Sequence, residues 1–131
     1  MYTGYFSKLK KYTDTGLIPV AISRMQPTFY KGASYTKLAP SWNILSAFKH
    51  PELAGEEAAS KETYIRRFNE EILKPLDAWQ VVSELEKMTD VDDSKIILLC
   101  YEKPKDFCHR HLVADWLTRN SFETKEFDCY E

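Results

Sequence analysis

Glycine is scarce in this chain, and the four present in its 131 residues, Gly4, Gly16, Gly32 and Gly55, stand apart from one another. No glycine-rich strand-to-helix turn can be assembled from them, which excludes a P-loop and a dinucleotide-binding fingerprint. Cysteine is scarce too. Cys100, Cys108 and Cys129 are an odd set without a Cys-x-x-Cys pair, so they read as reduced thiols rather than as a disulfide framework. Zinc would have to draw on Cys100, Cys108 and His111 with Cys129 as a fourth ligand, a spacing unlike that of zinc modules, and no metal is expected. No stretch approaches the roughly 18 apolar residues of a membrane span. The first residues lack the apolar region and small-residue cleavage site of a signal peptide, and a cytoplasmic protein with no membrane association is the expectation. A net charge of −2 argues against a strongly basic nucleic-acid binder. Repeats and low-complexity tracts are absent.

What is present suffices for one core: 44% of residues are hydrophobic and 14% aromatic, which at this length predicts a single α/β domain over residues 1–131. Charge is unevenly spread. Residues 1–51 carry seven basic side chains (Lys8, Lys10, Lys11, Arg24, Lys31, Lys37, Lys49) against the single acid Asp14, whereas the remainder carries 11 basic and 19 acidic residues. Tyr5, Phe6, Tyr12, Phe29, Tyr30 and Tyr35 interleave with those bases. Two readings follow: a solvated face over core aromatics, or a surface that holds phosphates by charge and stacks bases on its rings.

Residues 2–7 are strand formers, and residues 16–24 have the continuous apolar character of a buried parallel strand. Pro19 is expected near the start of that strand because it cannot donate to a ladder. Residues 25–40, rich in Pro, Gly, Tyr and Lys without steady periodicity, read as a long ordered loop of the kind that carries function. Ser41 caps a short helix over 42–48, stopped by His50-Pro51, and residues 52–60 read as a mobile stretch. Ser60 caps a longer helix with Tyr64, Ile65, Phe68 and Ile72 as its apolar stripe, ended near Pro75. Asp77 and Gln80 have capping-box spacing, predicting a helix to about Met88 with Val81, Val82, Leu85 and Met88 buried. After an acidic turn at 90–93 come a strand over 95–100, a helix over 108–120, and a last strand near 123–127. This order predicts a small, mostly parallel open sheet of about four strands flanked by helices, a Rossmann-like three-layer arrangement.

Ligands of such sheets bind beyond the carboxyl ends of the strands. That rule gathers Arg24, Cys100, Glu102 and Cys108 onto one edge. Cys108, at the first turn of its helix and close to Arg110, should favour the thiolate, a nucleophile or metal ligand; Cys100 can equally be a small buried hydrophobe. His109 lies one turn before Val113 on the face formed by Leu112, Val113, Trp116 and Leu117, so it should point inward, either as a core histidine bonded to a backbone carbonyl or as a proton carrier. His111 can pair with Asp115 on the surface. Glu102 can act as a general acid or base, or clamp Arg24 or Arg110. A tyrosine-phosphatase loop is excluded, since it needs arginine six positions after its cysteine and Cys100 is followed there by Asp106.

The run Leu-Leu-Cys100-x-Glu102 followed by Cys108-His109-Arg110 and an apolar helix resembles the signature of domain-of-unknown-function family 488. Upstream, Ile22-Ser23-Arg24 stands where that family has Asp-Val-Arg, and Leu38-Ala39-Pro40 where it has Leu-Gly-Gly; the family's aspartate is Ile22 here. The resemblance implies an α/β fold and a cluster of Arg24, Cys100, Glu102, Cys108, His109 and Arg110, without a settled activity or cofactor. Three functions are compatible with these residues. The leading expectation is binding of a phosphate-bearing ligand, a nucleotide or nucleic-acid element, between Arg24 and the helix that begins at Cys108, with Arg110, Tyr30 and Lys37 contributing. The second is an enzyme with Cys108 or Cys100 as nucleophile and Glu102 or His109 moving the proton. The third is a protein-interaction module in which the cysteine turn is structural.

Overall fold

Residues 96–100 are buried at every position, as expected of the central strand in a sheet covered on both faces. The computed structural model describes residues 1–50, 52, 55, 60–101 and 107–127. Among these, the strands β1 (Tyr2–Tyr5), β2 (Ile18–Ala21), β3 (Ala33–Ser34), β4 (Ile96–Cys100) and β5 (Lys125–Glu126) form one sheet in the order β3-β2-β4-β1-β5. Every pairing is parallel. The helices are α1 (Leu9–Asp14), α2 (Trp42–Lys49), α3 (Lys61–Arg67), α4 (Ala78–Thr89) and α5 (His109–Arg119). Among the described residues, no helix is long and apolar enough to cross a membrane. The expected α/β three-layer class holds, with five strands instead of about four.

Side-chain alternation along β4 divides the core. Ile96 and Leu98 join the larger cluster, which is filled by Ile44 of α2, Tyr64 of α3, Val81, Val82 and Leu85 of α4, and Val113, Trp116 and Leu117 of α5. Ile97 and Leu99 face the smaller cluster, with Phe6, Tyr12 of α1, Leu17 and Tyr30. Pro19 pairs in register with Ile97, whereas the β3 pairing begins one residue later at Val20, so the missing N–H lies before the edge ladder starts. Gly16, at φ 86°, takes the chain from the end of α1 into β2 through a backbone conformation that a side chain would oppose.

Several local expectations are corrected. Helix α1 follows a 3₁₀ turn at Phe6–Lys8 and was not apparent from periodicity, since its single buried side chain is Tyr12. The loop over 25–40 contains the two-residue strand β3 and a 3₁₀ turn at Thr36–Leu38. Beyond α3 the chain continues as a π-helical turn at Phe68–Leu73. The wider turn moves the buried position from Ile72 to Leu73, five residues after Phe68. In α4, Met88 is exposed. Asp77 does cap that helix, but its carboxylate accepts from Trp79 N, and the Gln80 side chain donates to Glu84 instead of completing a capping box. The stretch expected to be mobile, 52–60, falls largely outside the described residues, as does Glu102.

The aromatic residues among the N-terminal lysines belong mostly to the core. Phe6, Tyr12, Tyr30 and Tyr35 are buried, while Phe29 is exposed. Buried rings offer no face to a nucleobase, so this arrangement matches the solvated-face reading and not a stacking surface.

Candidate functional site

Parallel pairing of β2 with β4 places Ala21 opposite Leu99, so the residues that follow, Ile22 to Arg24 and Cys100, emerge side by side at the carboxyl edge. Helix α5 begins over the same edge. Between them lies a cavity of about 530 Å³ whose wall includes Ser23 and Arg24 from the end of β2, Cys100 and Tyr101 from the end of β4, and Cys108 and His109 from the start of α5. Three aromatic rings also line it. Phe48 of α2, Tyr64 of α3 and Phe107 meet with ring centroids 5.0 Å (Phe48 to Tyr64), 5.8 Å (Phe48 to Phe107) and 5.0 Å (Tyr64 to Phe107) apart. Trp42, 60% exposed, and Lys49 and His50 are among the other residues that line the cavity.

Arg24 is held in place by the loop that follows it. Its Nε donates to the carbonyl of Pro40 at 3.1 Å and its Nη2 to that of Ala39 at 3.5 Å. These bonds fix the guanidinium on the cavity wall. They also fasten residues 39 and 40 across the site, which explains how the long loop comes to shape it.

Cys100 and Cys108 are joined in a disulfide, with sulfurs 2.09 Å apart and Cα atoms 7.5 Å apart. This corrects the expectation of reduced thiols for these two residues. Cys129 lies outside the described residues. Cys108 is the N-cap of α5, with an extended backbone and no capping bond from its own side chain. The sulfurs of Cys100 and Cys108 and a ring nitrogen of His109 all lie within 4.8 Å of one another, a donor set of the kind soft metal ions take up once the sulfurs are reduced.

His109 is buried, and its Nε2 lies 2.6 Å from the carbonyl oxygen of Ile22. A carbonyl only accepts, so Nε2 carries the proton and Nδ1 presents its lone pair to Cys108 Sγ, 3.7 Å away. Burial pulls the imidazole down to about 4; the bond to Ile22 opposes this, and the neighbouring charges of Arg110, His111 and Arg24 add to it. The ring is therefore neutral at physiological pH, a hydrogen-bond acceptor at Nδ1 but a weak base. The expected inward orientation and the backbone carbonyl partner are both present.

Arg110 lies elsewhere. It is completely buried, its Nε and Nη2 donate to the two carboxylate oxygens of Glu126 in β5 at 3.0 Å each, and its Nη1 points at Cys100 Sγ at 3.2 Å. The Tyr5 ring covers it, 5.7 Å from centroid to guanidinium carbon. Arg110 was expected to hold ligand charge; its charge is instead engaged beneath the site. Two further expected ligand residues are also outside the cavity. Tyr30 packs under β2, donating to the carbonyls of Pro19 and Ala33, and Lys37 pairs with Glu84 of α4 at 3.1 Å. Asp115, expected to pair with His111, is bridged by Arg119 at 3.2 Å.

Of the expected residues, Arg24, Cys100, Cys108 and His109 thus converge on the cavity. Sequence reasoning missed the aromatic lining, for which a cluster of rings in and around α2 and α3 was the available signal. It also missed Glu126, a carboxylate in a short strand that follows the helix bearing the arginine.

No curated protein and no solved structure matches the chain. A family model described as the active DUF488-N3 subclade, DUF488-N3a, matches residues 13–121, which contain every cavity residue. The chain belongs to this subclade of domain-of-unknown-function family 488.

Proposed function

We propose that the chain binds a small phosphate-bearing molecule with a flat ring, of the nucleotide class, in the cavity at the carboxyl ends of β2 and β4. The observation that carries this reading is that one cavity is lined by the rings of Trp42, Phe48, Tyr64 and Phe107 together with the basic side chains of Arg24, Lys49 and His50. Its volume is in the range of roughly 300–1,000 Å³ typical of small-molecule sites. Rings supply area for a base, and a pinned guanidinium with the start of a helix supplies attraction for an anion. A nucleic-acid strand is the weaker candidate, because the N-terminal rings that would stack its bases are buried.

The test is a fluorescence titration of nucleoside mono-, di- and triphosphates and inorganic phosphate, with Trp42→Phe identifying the signal from the cavity. Arg24→Gln should weaken the bound nucleotide by about tenfold or more, the effect of removing one charge-assisted hydrogen bond of roughly 1.5–3 kcal/mol. Equal affinity in that variant, or no binding of any of these compounds to the wild type, refutes the reading.

A second reading, catalysis by a thiol of the cysteine pair, is favoured by Cys108 and His109 both lining the cavity with Sγ and Nδ1 3.7 Å apart and by the description of the subclade as active. A weakly basic His109 can accept a hydrogen bond from Cys108 but is a poor acceptor of its proton. The rate of alkylation of the reduced protein against pH separates the two readings: an apparent thiol pKa near the ordinary value of about 8.5 at both cysteines counts against catalysis.

A further inference from the structure

The two sulfurs have different surroundings. Both residues line the cavity, but Cys108 stands at the start of an 11-residue helix and has a hydrogen-bond acceptor, His109 Nδ1, beside it. Cys100 sits at the end of a fully buried strand, with a guanidinium N–H directed at its sulfur from 3.2 Å. In thiol–disulfide exchange the sulfur that is attacked must be accessible, and the sulfur that departs does so faster when its thiolate is stabilised. Both cysteines border the cavity, and the structure supplies the second condition at Cys100, which leaves Cys108 as the sulfur to be attacked.

We propose that Cys100 and Cys108 are a dithiol–disulfide couple open to the cavity, in which Cys108 takes the sulfur of an incoming low-molecular-weight thiol and Cys100 departs as a thiolate held by Arg110. In the first step an external thiolate attacks Cys108 Sγ; a new S–S bond forms to the external sulfur, the Cys108–Cys100 bond breaks, and its electron pair leaves on Cys100. In the second step another external thiolate attacks the sulfur of the first, releasing an external disulfide and the Cys108 thiolate. Cys108 is then protonated from solvent, and its S–H donates to His109 Nδ1. Altogether two external thiols are oxidised by two electrons and the disulfide is reduced; of the two protons they give up, one is taken by Cys108 and the other goes to solvent, Cys100 remaining a thiolate beside Arg110. This activity goes beyond ligand binding and does not depend on which nucleotide occupies the cavity.

A Cys129→Ser background removes the third thiol. In it, treatment with dithiothreitol followed by native alkylation and mass measurement should convert the protein from no added groups to two, and removal of the reductant in the presence of oxidised glutathione should restore none. Within that background, Cys100→Ser should form a mixed disulfide with oxidised glutathione about tenfold faster than Cys108→Ser does. Equal or reversed rates overturn the assignment of roles. Failure of the dithiol to appear under native conditions overturns the couple itself, as would one equivalent of zinc shielding both reduced thiols from alkylation, which would mark a metal centre of Cys100, Cys108 and His109. Nucleotide affinity measured in each redox state reads the proposed ligand separately, so the two ideas fail independently.

Discussion

Acidification should destabilise this fold through one identifiable side chain. His109 is enclosed among Phe68, the carbonyl of Ile22 and the disulfide, with its protonation drawn down to about 4, whereas in the unfolded chain an imidazole takes its proton near 6.5. Between those values the unfolded state binds a proton that the folded state refuses, so stability is present in full above about 6.5 and is lost as the pH falls towards 4. Each pH unit crossed in that window costs about 1.4 kcal/mol, giving a ceiling of about 3 kcal/mol and a loss of about 2 kcal/mol by pH 4.5. Carboxylates also titrate at the lower end, so the measurement must be differential. His109→Gln keeps a side-chain N–H for the Ile22 carbonyl but removes the titrating ring. Urea unfolding of both proteins without reductant, at intervals from pH 7 to pH 4.5, should show the wild type losing about 2 kcal/mol more than the variant. Parallel curves for the two proteins would refute the argument and mean that the folded ring accepts a proton as readily as the unfolded one.

Two further substitutions probe how the site is supported. Gly4→Ala should cost about 1–3 kcal/mol by overpacking, because an added Cβ would lie 2.5 Å from the hydroxyl oxygen of the buried Tyr12; a denaturant midpoint equal to wild type would show that Tyr12 moves aside. Glu126→Leu should cost about 3 kcal/mol by leaving the Arg110 guanidinium buried without its carboxylate, and the double variant with Arg110→Met should recover most of that loss in the same assay.

The layers of the fold were legible because β2 and β4 are continuous apolar runs and the faces of α4 and α5 repeat at helical spacing. What escaped notice lacked such a signal. Helix α1 buries only Tyr12 and so has no stripe; β3 consists of two residues in a loop; and the π-helical turn shifts burial to Leu73 in a way that a period of 3.6 cannot anticipate. At the site, the rule that ligands gather at strand carboxyl ends brought Arg24, Cys100 and Cys108 together correctly. It failed for Tyr30 and Lys37, which share a loop with the site but turn to β2 and to Glu84. Composition also pointed away from the disulfide, because an odd cysteine count says nothing about which two side chains the topology will juxtapose.

Three consecutive residues at the start of α5 reach three different strands or their ends. Cys108 bonds to Cys100 at the end of β4, His109 reaches the Ile22 carbonyl just beyond β2, and Arg110 grips Glu126 in β5. β2, β4 and β5 are not consecutive in the sheet, since β1 lies between β4 and β5, so the triplet spans four strands. A helix that begins in this way cannot slide along the sheet edge without breaking all three connections. Its first turn is thereby fixed over the cavity, with Cys108 and His109 in the wall and Arg110 beneath them. The Arg110 contact to Cys100 adds a coupling: the residue that anchors β5 also touches the Cys100 sulfur. Removing the disulfide therefore leaves α5 with two of its three attachments, and chemistry at the sulfurs can proceed without releasing the helix that positions them.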